Sequence, residues 1–355
     1  MDCTDTILEL LQEEIPDFNI SNSNIKFTDL SVDSFSLLTI RIGIEKIIDK
    51  ELPDDLWVTI KSPADILVVA KDIIVNNNKS LTNNSYSLKR FYKINMPQMS
   101  LKGLSESWLL KEVGDIHWSM ILEGLNLQSD KLADGNGNRL YATFTSIKYN
   151  STHPLIDYSE NETITFDGEI ARYGSGMFFS NILVNGNNKS IKFTLMSTFT
   201  RRGSPNTNSD LLKGQPNIPE FCPIKELKEM PVFGNEYRKK RSQKKINSLF
   251  ETPYEILPYH DINGVGLLYF ASYPIISDIC EQRFMNMGNH WAIKASPICR
   301  EIYYYGNCDL NDSLFYVIHT KEDNNSTIIF ESSLSRASDG LQIASIITTK
   351  ALINV

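Results

Sequence analysis

The chain has 355 residues, of which 41% are hydrophobic and 22% charged, and its formal net charge is −8. This length predicts two or three domains, and the composition excludes a disordered, fibrous or broadly basic nucleic-acid-binding chain. The acidity is confined to residues 1–75, which carry 15 acidic and 6 basic side chains, whereas the remainder of the chain has a net charge of +1.

The first 75 residues space their apolar side chains three and four positions apart, as helices do. Leu8, Leu11 and Ile15 form one such stripe, which Pro16 is expected to end. Ser62-Pro63 is typical of a helix N-cap followed by a proline in the first turn, and predicts a further helix. We expect an all-α helical bundle over residues 1–76 and a polar linker over residues 77–92.

Beyond the linker, segments rich in β-branched and aromatic residues alternate with turn residues, which is typical of strands. Helical patterns interrupt them at Ser105–Leu125 and Ile275–Met287. The predicted strands include Leu140–Thr145, Ile191–Thr200, Gly266–Tyr273, Ser313–His319 and Ser326–Glu331. Each helix with its strands forms one α+β unit, and we place the units at residues 93–210 and 211–355.

Targeting and redox signals are absent from the sequence. The N-terminus lacks a basic segment followed by an apolar core, and no apolar run is long enough to span a bilayer. The five cysteines have no C-x-x-C spacing, so they predict neither a disulfide framework nor a zinc site. We therefore expect a soluble, cytoplasmic protein that binds no metal, no membrane and no nucleic acid.

Residues 30–35, LSVDSF, lie where the polar loop meets the second helix. With the acidic bundle around it, this junction resembles an acyl carrier protein, although Ser31 and Phe35 replace the usual glycine and leucine or methionine. The resemblance implies that a phosphopantetheinyl transferase attaches 4'-phosphopantetheine to Ser34, beside Asp33. A helix N-terminus favours the anionic phosphodiester. The alternative is that Asp33 or Ser34 only caps the helix.

Four blocks of the larger region carry a second resemblance: residues 96–118 (MPQMSLKGLSESWLLKEVGDIHW), 137–144 (GNRLYATF), 196–199 (MSTF) and 263–274 (NGVGLLYFASYP). They resemble the LnmK-type bifunctional acyltransferase/decarboxylases of polyketide pathways. The resemblance implies a double hot-dog fold, in which each half wraps an antiparallel sheet around a long helix. It also implies an enzyme that takes methylmalonyl or malonyl from coenzyme A, decarboxylates it and loads propionyl or acetyl on a carrier thiol. A polyketide synthase or β-branching enzyme would then receive the acyl carrier.

This resemblance assigns the central catalytic role to Tyr141. A phenol is a poor nucleophile near neutral pH unless its pKa is lowered, and Arg139 lies two residues away, on the same face of a regular strand. Tyr141 then either accepts the acyl group or donates a hydrogen bond to the thioester oxygen as an enolate forms. The alternative is that Tyr141 has no catalytic role and is an aromatic residue of a strand that packs against the helix. Thr143 and Ser197 are second-rank candidates for lining the pocket.

Two other functions compete with this interpretation. A hot-dog dehydratase or thioesterase would act on carrier-bound acyl groups, and a dehydratase would need a histidine facing the acyl tunnel. Asp115 and His117 stand two residues apart in a helix and so point to different faces, which favours a structural, hydrogen-bonded His117. The other competitor is a non-catalytic hot-dog that binds the acyl chain of the carrier.

A basic run, residues 238–245 (RKKRSQKK), has a net charge of +6. Such a run is typical of a solvated loop or connector. The alternative is that these side chains contact the phosphates of coenzyme A or the acidic carrier, with the following residues as candidates: Arg238, Lys239, Lys240 and Arg241.

Overall fold

The chain divides into two units, Met1–Asn84 and Ser85–Val355. The computed structural model describes the following residues: 3–15, 18–30, 32–48, 52, 57, 59–69, 86–101, 103–204, 207–208, 210–219, 221–243 and 247–353. Pro16 and residues 77–85 of the predicted linker lie outside these ranges.

Helices form the first unit where it is described. Helix α1 is Cys3–Glu14, α2 is Ser34–Ile48, and residues 63–69 are also helical. The two longer helices contact each other and contribute Ile7, Leu11, Ile40 and Ile44 to one buried cluster. Leu11 and Ile15 of the predicted stripe are buried, as their spacing indicates.

A twelve-stranded sheet dominates the second unit. Its strands are β1 (Tyr86–Lys93), β2 (Tyr141–Ser151), β3 (Thr163–Tyr173), β4 (Met177–Gly186), β5 (Lys189–Arg202), β6 (Leu211–Gly214), β7 (Lys225–Glu226), β8 (Phe250–Glu255), β9 (Ala295–Tyr304), β10 (Ser313–Asp323), β11 (Thr327–Arg336) and β12 (Gln342–Leu352). The helices of this unit are α3 (Glu106–Gly124), α4 (Val232–Ser242), α5 (Pro258–Asp261), α6 (Tyr273–Met285) and α7 (Asn289–Lys294).

The two halves of the sheet repeat one strand order. The first runs β1-β3-β4-β5-β2 and the second β8-β10-β11-β12-β9, and antiparallel pairing of β2 with β9 joins them. Each half has one long helix at the equivalent place in the chain, α3 after β1 and α6 in the segment between β8 and β9. Helix α3 packs against β1, β3 and β4, and α6 packs against β8 and β10. The unit is thus a tandem repeat of an antiparallel sheet with a helix on it.

Helix α3 matches the helix predicted from the sequence. Ser105 is its N-cap, and its side-chain oxygen accepts a hydrogen bond from the Trp108 amide at 3.2 Å. Leu109, Val113 and Ile116 are fully buried, at the spacing that puts them on one helix face. Their burial stabilises the helix against the first half of the sheet.

The predicted edges of the units differ from the observed ones. Residues 86–92, predicted as linker, belong to β1, whose alternate side chains Tyr86, Leu88 and Tyr92 pack against the core. The predicted start of the second unit at residue 211 also differs, because β6 and β7 pair with β5 and β3 of the first repeat. Residues 211–242 are an insertion between the repeats that ends in helix α4.

The strand predicted at Gly266–Tyr273 is wrong. Leu268 makes an isolated bridge with Ile262, Phe270–Ser272 form a 3-10 turn, and Tyr273 begins α6 with a proline in its first turn. A short run of leucine and aromatic residues fits a strand or a buried turn equally well. Proline at position 274 is the helix-start signal that decides between them.

Candidate functional site

A cavity of about 930 Å³ opens beside the junction of the two repeats. The ladder between β2 and β9 ends at the pair Ser146 and Tyr303. Residues 141–144 of β2 pair with β5 alone, and the register shifts at Thr145, so the strands no longer close the space between the repeats. The walls come from the start of β2, the residues after β9, one face of α3, helix α4 and residues 263–273.

Tyr141 and Arg139 both line this cavity, at the entry to β2. The guanidinium carbon of Arg139 lies 5.3 Å from the centroid of the Tyr141 ring, which is a cation–π contact on the ring face. The two side chains therefore share a face, as the spacing predicts. No hydrogen bond joins the Tyr141 phenol to any of the residues that the structure describes, so the phenol is available to a bound molecule.

Thr143 and Ser197 have different positions relative to the cavity. Thr143 lines it and donates a hydrogen bond to the Thr198 carbonyl at 3.3 Å. On β5, Met196 and Thr198 face the cavity, and strand alternation turns Ser197 to the opposite side. Ser197 is 1% exposed and does not line the cavity, contrary to the expectation from the sequence.

His117 borders the cavity from α3 but is almost completely buried. Its Nδ1 lies 2.6 Å from the Ser180 hydroxyl and its Nε2 lies 2.7 Å from the Ser197 hydroxyl, so both ring nitrogens are occupied. Burial lowers the pKa of His117 to about 3. The imidazole is therefore neutral at pH 7, in the hydrogen-bonded structural role that the sequence favours over acid–base catalysis.

Asp115 is the only carboxylate lining the cavity within the described part of the chain. Its Oδ2 lies 2.6 Å from Nη1 of Arg90, and the same nitrogen lies 2.7 Å from Glu112. The sequence gives no sign of this ion pair, because Arg90 falls in the predicted linker. Asp115 therefore shares the single charge of Arg90 with Glu112.

The basic run is a helix where the structure describes it, not the loop expected from its composition. Arg238 and Arg241 of α4 line the cavity, whereas Lys239 and Lys240 do not. The last two lysines of the run, at positions 244 and 245, lie outside the described residues.

The second repeat supplies aromatic walls that sequence reasoning missed. Tyr269, Phe270 and Tyr304 line the cavity, and the Phe270 ring packs 4.6 Å from that of Phe144. The Tyr304 hydroxyl donates to the Phe270 carbonyl at 3.1 Å, and burial raises the Tyr304 pKa well above its usual value. Tyr269 and Phe270 belong to the block 263–274 that carries the resemblance, but the sequence assigned no role in the site to them or to Tyr304.

Asp33 caps helix α2, because its carboxylate accepts a hydrogen bond from the Ser36 amide at 2.8 Å. Ser34 is the first residue of that helix, as predicted. The Ser34 side chain lies outside what the structure describes, so attachment of 4'-phosphopantetheine to its hydroxyl stays a prediction.

Within the described parts of the chain, no three His, Cys, Asp or Glu side chains are grouped so that they would hold a metal ion. Likewise, none of the helices in these ranges combines the length and the apolar character that a membrane crossing requires.

Sequence comparison and structural comparison give different results. No protein-family model matches the chain, and no curated protein sequence matches it significantly. A protein assigned as an oleoyl thioesterase from Lactobacillus plantarum superposes with a TM-score of 0.56 and 8% identity, covering 77% of this chain and 97% of its own. The 12:0-ACP thioesterase from Umbellularia californica superposes with a TM-score of 0.51 and 11% identity, covering 78% of this chain and 98% of its own. At this identity the likeness shows the fold, which confirms the predicted hot-dog type of antiparallel sheet with helices.

Proposed function

We propose that the unit Ser85–Val355 converts acyl thioesters in the cavity beside Tyr141, and that the reaction is decarboxylative acyl transfer. Methylmalonyl or malonyl would come from coenzyme A and end as propionyl or acetyl on a carrier thiol. The observation that carries the proposal is the Tyr141 phenol, which faces a cavity of about 930 Å³ without a hydrogen-bond partner among the described residues. The two similar structures, both assigned as thioesterases, support a thioester substrate.

The Tyr141 phenol fits the charge that develops in this reaction. Decarboxylation breaks the bond between the carboxylate carbon and the α-carbon, releases CO₂ and leaves an electron pair in an enolate. The negative charge lies on the thioester oxygen, and a phenol O–H that donates to this oxygen stabilises it. A water molecule then supplies a proton to the α-carbon, and the hydroxide that remains removes the proton of the carrier thiol. Finally the carrier thiolate attacks the carbonyl carbon and forms the new C–S bond, and the coenzyme A thiolate leaves and takes up a proton from solvent.

The alternative chemistry makes Tyr141 the nucleophile. It requires a base that removes the phenol proton, and no described side chain accepts a hydrogen bond from this phenol. Arg139 lies over the ring face and offers no base. This arrangement favours the donor role, in which no acyl-tyrosine forms. Intact-mass measurement after rapid quenching distinguishes the two, because an acylated Tyr141 would require the nucleophilic route.

A dehydratase fits the cavity less well. It needs a histidine that exchanges protons with the substrate, and both nitrogens of His117 already contact serine hydroxyls. The low pKa of His117 also makes its imidazole a weak base.

Thioester hydrolysis is the second candidate, and Asp115 is the observation that favours it. A carboxylate at the cavity is able to orient or deprotonate a water molecule. The contact of Asp115 with Arg90 opposes this role, because the guanidinium already occupies one oxygen of the carboxylate. Hydrolysis and transfer differ in product, since hydrolysis gives a free acid and transfer gives an acylated carrier.

The first unit is the proposed carrier. Its net charge of −9 over residues 1–75, and the position of Ser34 at the start of α2, support a 4'-phosphopantetheine attachment site. Capping by Asp33 is compatible with this modification. Incubation with coenzyme A and a phosphopantetheinyl transferase should add the mass of the arm to the wild type and not to Ser34→Ala. A wild type without that mass gain would exclude the carrier role.

The complete reaction is tested by intact mass after separate exposure of the arm-bearing protein to malonyl-, methylmalonyl- and propionyl-CoA. We expect propionyl on the Ser34 arm from methylmalonyl-CoA and none from propionyl-CoA, because decarboxylation and transfer are coupled. Free methylmalonate or propionate with an unloaded arm would identify the hydrolase instead.

A further inference from the structure

The cavity has a large excess of positive charge. Among the described residues, its cationic lining side chains are Lys111, Arg139, Lys213, Arg238, Arg241 and Arg336. Asp115 is the one carboxylate that faces them in the described part of the chain, and it is paired with Arg90. A lining of this kind favours an anionic ligand and disfavours a purely apolar one.

Some of these cations already have partners. Arg336 makes an ion pair with Asp339 at 2.5 Å, Arg139 stacks on Tyr141, and the Lys111 ammonium lies 5.9 Å from the Tyr269 ring centroid. Arg238, Arg241 and Lys213 have no carboxylate of the described chain within ion-pair distance, although the Arg241 guanidinium contacts the Tyr237 hydroxyl. Because a guanidinium has five N–H donors, both arginines keep donors for an anion.

The packing of helix α4 explains why only two of its four basic residues face the cavity. Gly234, Tyr237, Arg238 and Arg241 line it, at the i, i+3, i+4, i+7 spacing of one helix face. The Tyr237 hydroxyl donates to the Tyr304 carbonyl at 3.2 Å, which ties this face to the end of β9. Gly234 is buried, and a Cβ there would meet the Met230 sulfur at 2.4 Å, so this end of the helix packs closely.

We infer that Arg238 and Arg241 bind a phosphate group of a pantetheine-linked thioester, while Lys239 and Lys240 take no part in this contact. The inference rests on the proposed function, because it names how that substrate is held. Guanidinium groups form paired hydrogen bonds to phosphate oxygens, and two arginines three positions apart on a helix are neighbours on its surface. The phosphate belongs either to coenzyme A or to the phosphodiester of a carrier arm.

The test compares two double variants of the full chain with equal loss of charge. Arg238→Gln/Arg241→Gln removes the proposed contact, and Lys239→Gln/Lys240→Gln is the matched control on the same helix. Each variant is assayed with methylmalonyl thioesters of coenzyme A, of 4'-phosphopantetheine and of pantetheine, the last of which has no phosphate. We expect the arginine variant to raise KM about tenfold or more for the phosphorylated substrates and to leave the pantetheine thioester unchanged.

The control variant should change KM by less than about twofold for all three substrates. If the arginine variant has a raised KM for both phosphorylated substrates, the arginines bind the phosphate that a carrier arm shares with coenzyme A. A raised KM for the coenzyme A thioester alone also supports the inference and assigns the arginines to its nucleotide phosphates. An equal rise in KM for the pantetheine thioester, or no rise for any substrate, would overturn the inference.

Direct binding separates this inference from the proposed function. Titration calorimetry with free coenzyme A, at a fixed ionic strength of about 0.1 M, needs no turnover. If the wild type consumes none of the thioesters, the proposed function fails, yet weaker coenzyme A binding by the arginine variant than by the lysine variant still supports the phosphate site. Equal affinities of the two variants would exclude it.

Discussion

Arg300 of β9 reaches Glu106 in the first turn of α3 through two hydrogen bonds of 2.6 and 2.8 Å, and so links the second repeat to the first. The Arg300 side chain is 1% exposed and that of Glu106 is 9% exposed. Arg300 also donates to Asp278 and to Thr348, each at 2.9 Å. A buried guanidinium with several partners fixes the position of α3 relative to β9, and both elements border the cavity.

Replacing Arg300 by methionine should destabilise the second unit by about 3–5 kcal/mol, because the buried Glu106 carboxylate then loses its cationic partner and keeps only the hydrogen bond from Tyr149. Urea unfolding of wild type and variant measures this difference. The exposed ion pair of Lys89 with Asp167, at 3.0 Å, provides the control. Lys89→Met should cost less than about 1 kcal/mol. An equal decrease in the free energy of unfolding for the two substitutions would contradict the structural role of the buried Arg300–Glu106 ion pair.

Gly114 of α3 lies against the Phe270 ring, and a Cβ at this position would meet its Cζ at 2.4 Å. Gly114→Ala should push the ring into the cavity, and we expect KM to rise more for bulkier acyl groups than for smaller ones. Kinetics with malonyl- and methylmalonyl-CoA measure the difference. Gly264→Ala is the matched control, since no atom lies within 4 Å of its added Cβ. The same kinetics for both variants would refute the steric contact.

The pH dependence of His117 follows from its burial, which lowers its pKa to about 3. The unfolded chain binds a proton at this residue near pH 6.5, whereas the folded chain stays neutral there. His117 therefore leaves the free energy of unfolding unchanged above pH 6.5 and lowers it by about 1.4 kcal/mol for each pH unit of acidification between pH 6.5 and pH 3. Ring resonances assigned to His117 by NMR should not titrate between pH 7 and 5. A midpoint near pH 6 would contradict the buried, serine-bound geometry.

Three helices, α1, α3 and α6, were predictable from the sequence, whereas α4 was expected to be a loop. The apolar spacing in α1, α2 and α3 reports directly on a buried face, because each helix buries one stripe of its own residues. Strand β1 was missed, since its alternating Tyr86, Leu88 and Tyr92 follow a polar segment and gain their burial only by packing on the core. The turn at Phe270–Ser272 was missed for a related reason, because short apolar runs do not distinguish a strand from a buried turn.

Only the part of the candidate site at the start of β2 was predictable from the sequence. Arg139, Tyr141 and Thr143 lie together in the sequence and line the cavity together. Arg90 and Phe270 reach the site from segments remote in the chain, so no spacing marks them. Because the basic run is helical, Arg238 and Arg241 lie on the face towards the cavity and Lys239 and Lys240 do not. The sequence alone does not show this division, because it does not show that the run is a helix.

The central claim concerns the Tyr141 phenol, and the rate of CO₂ release from methylmalonyl-CoA tests it most directly. Tyr141→Phe removes only the hydroxyl, and the fully exposed Tyr259 offers Tyr259→Phe as a matched control. The account predicts a rate about 100-fold or more below wild type for Tyr141→Phe, because the enolate loses its hydrogen-bond donor, and an unchanged rate for the control. A wild-type rate of CO₂ release in Tyr141→Phe would contradict it.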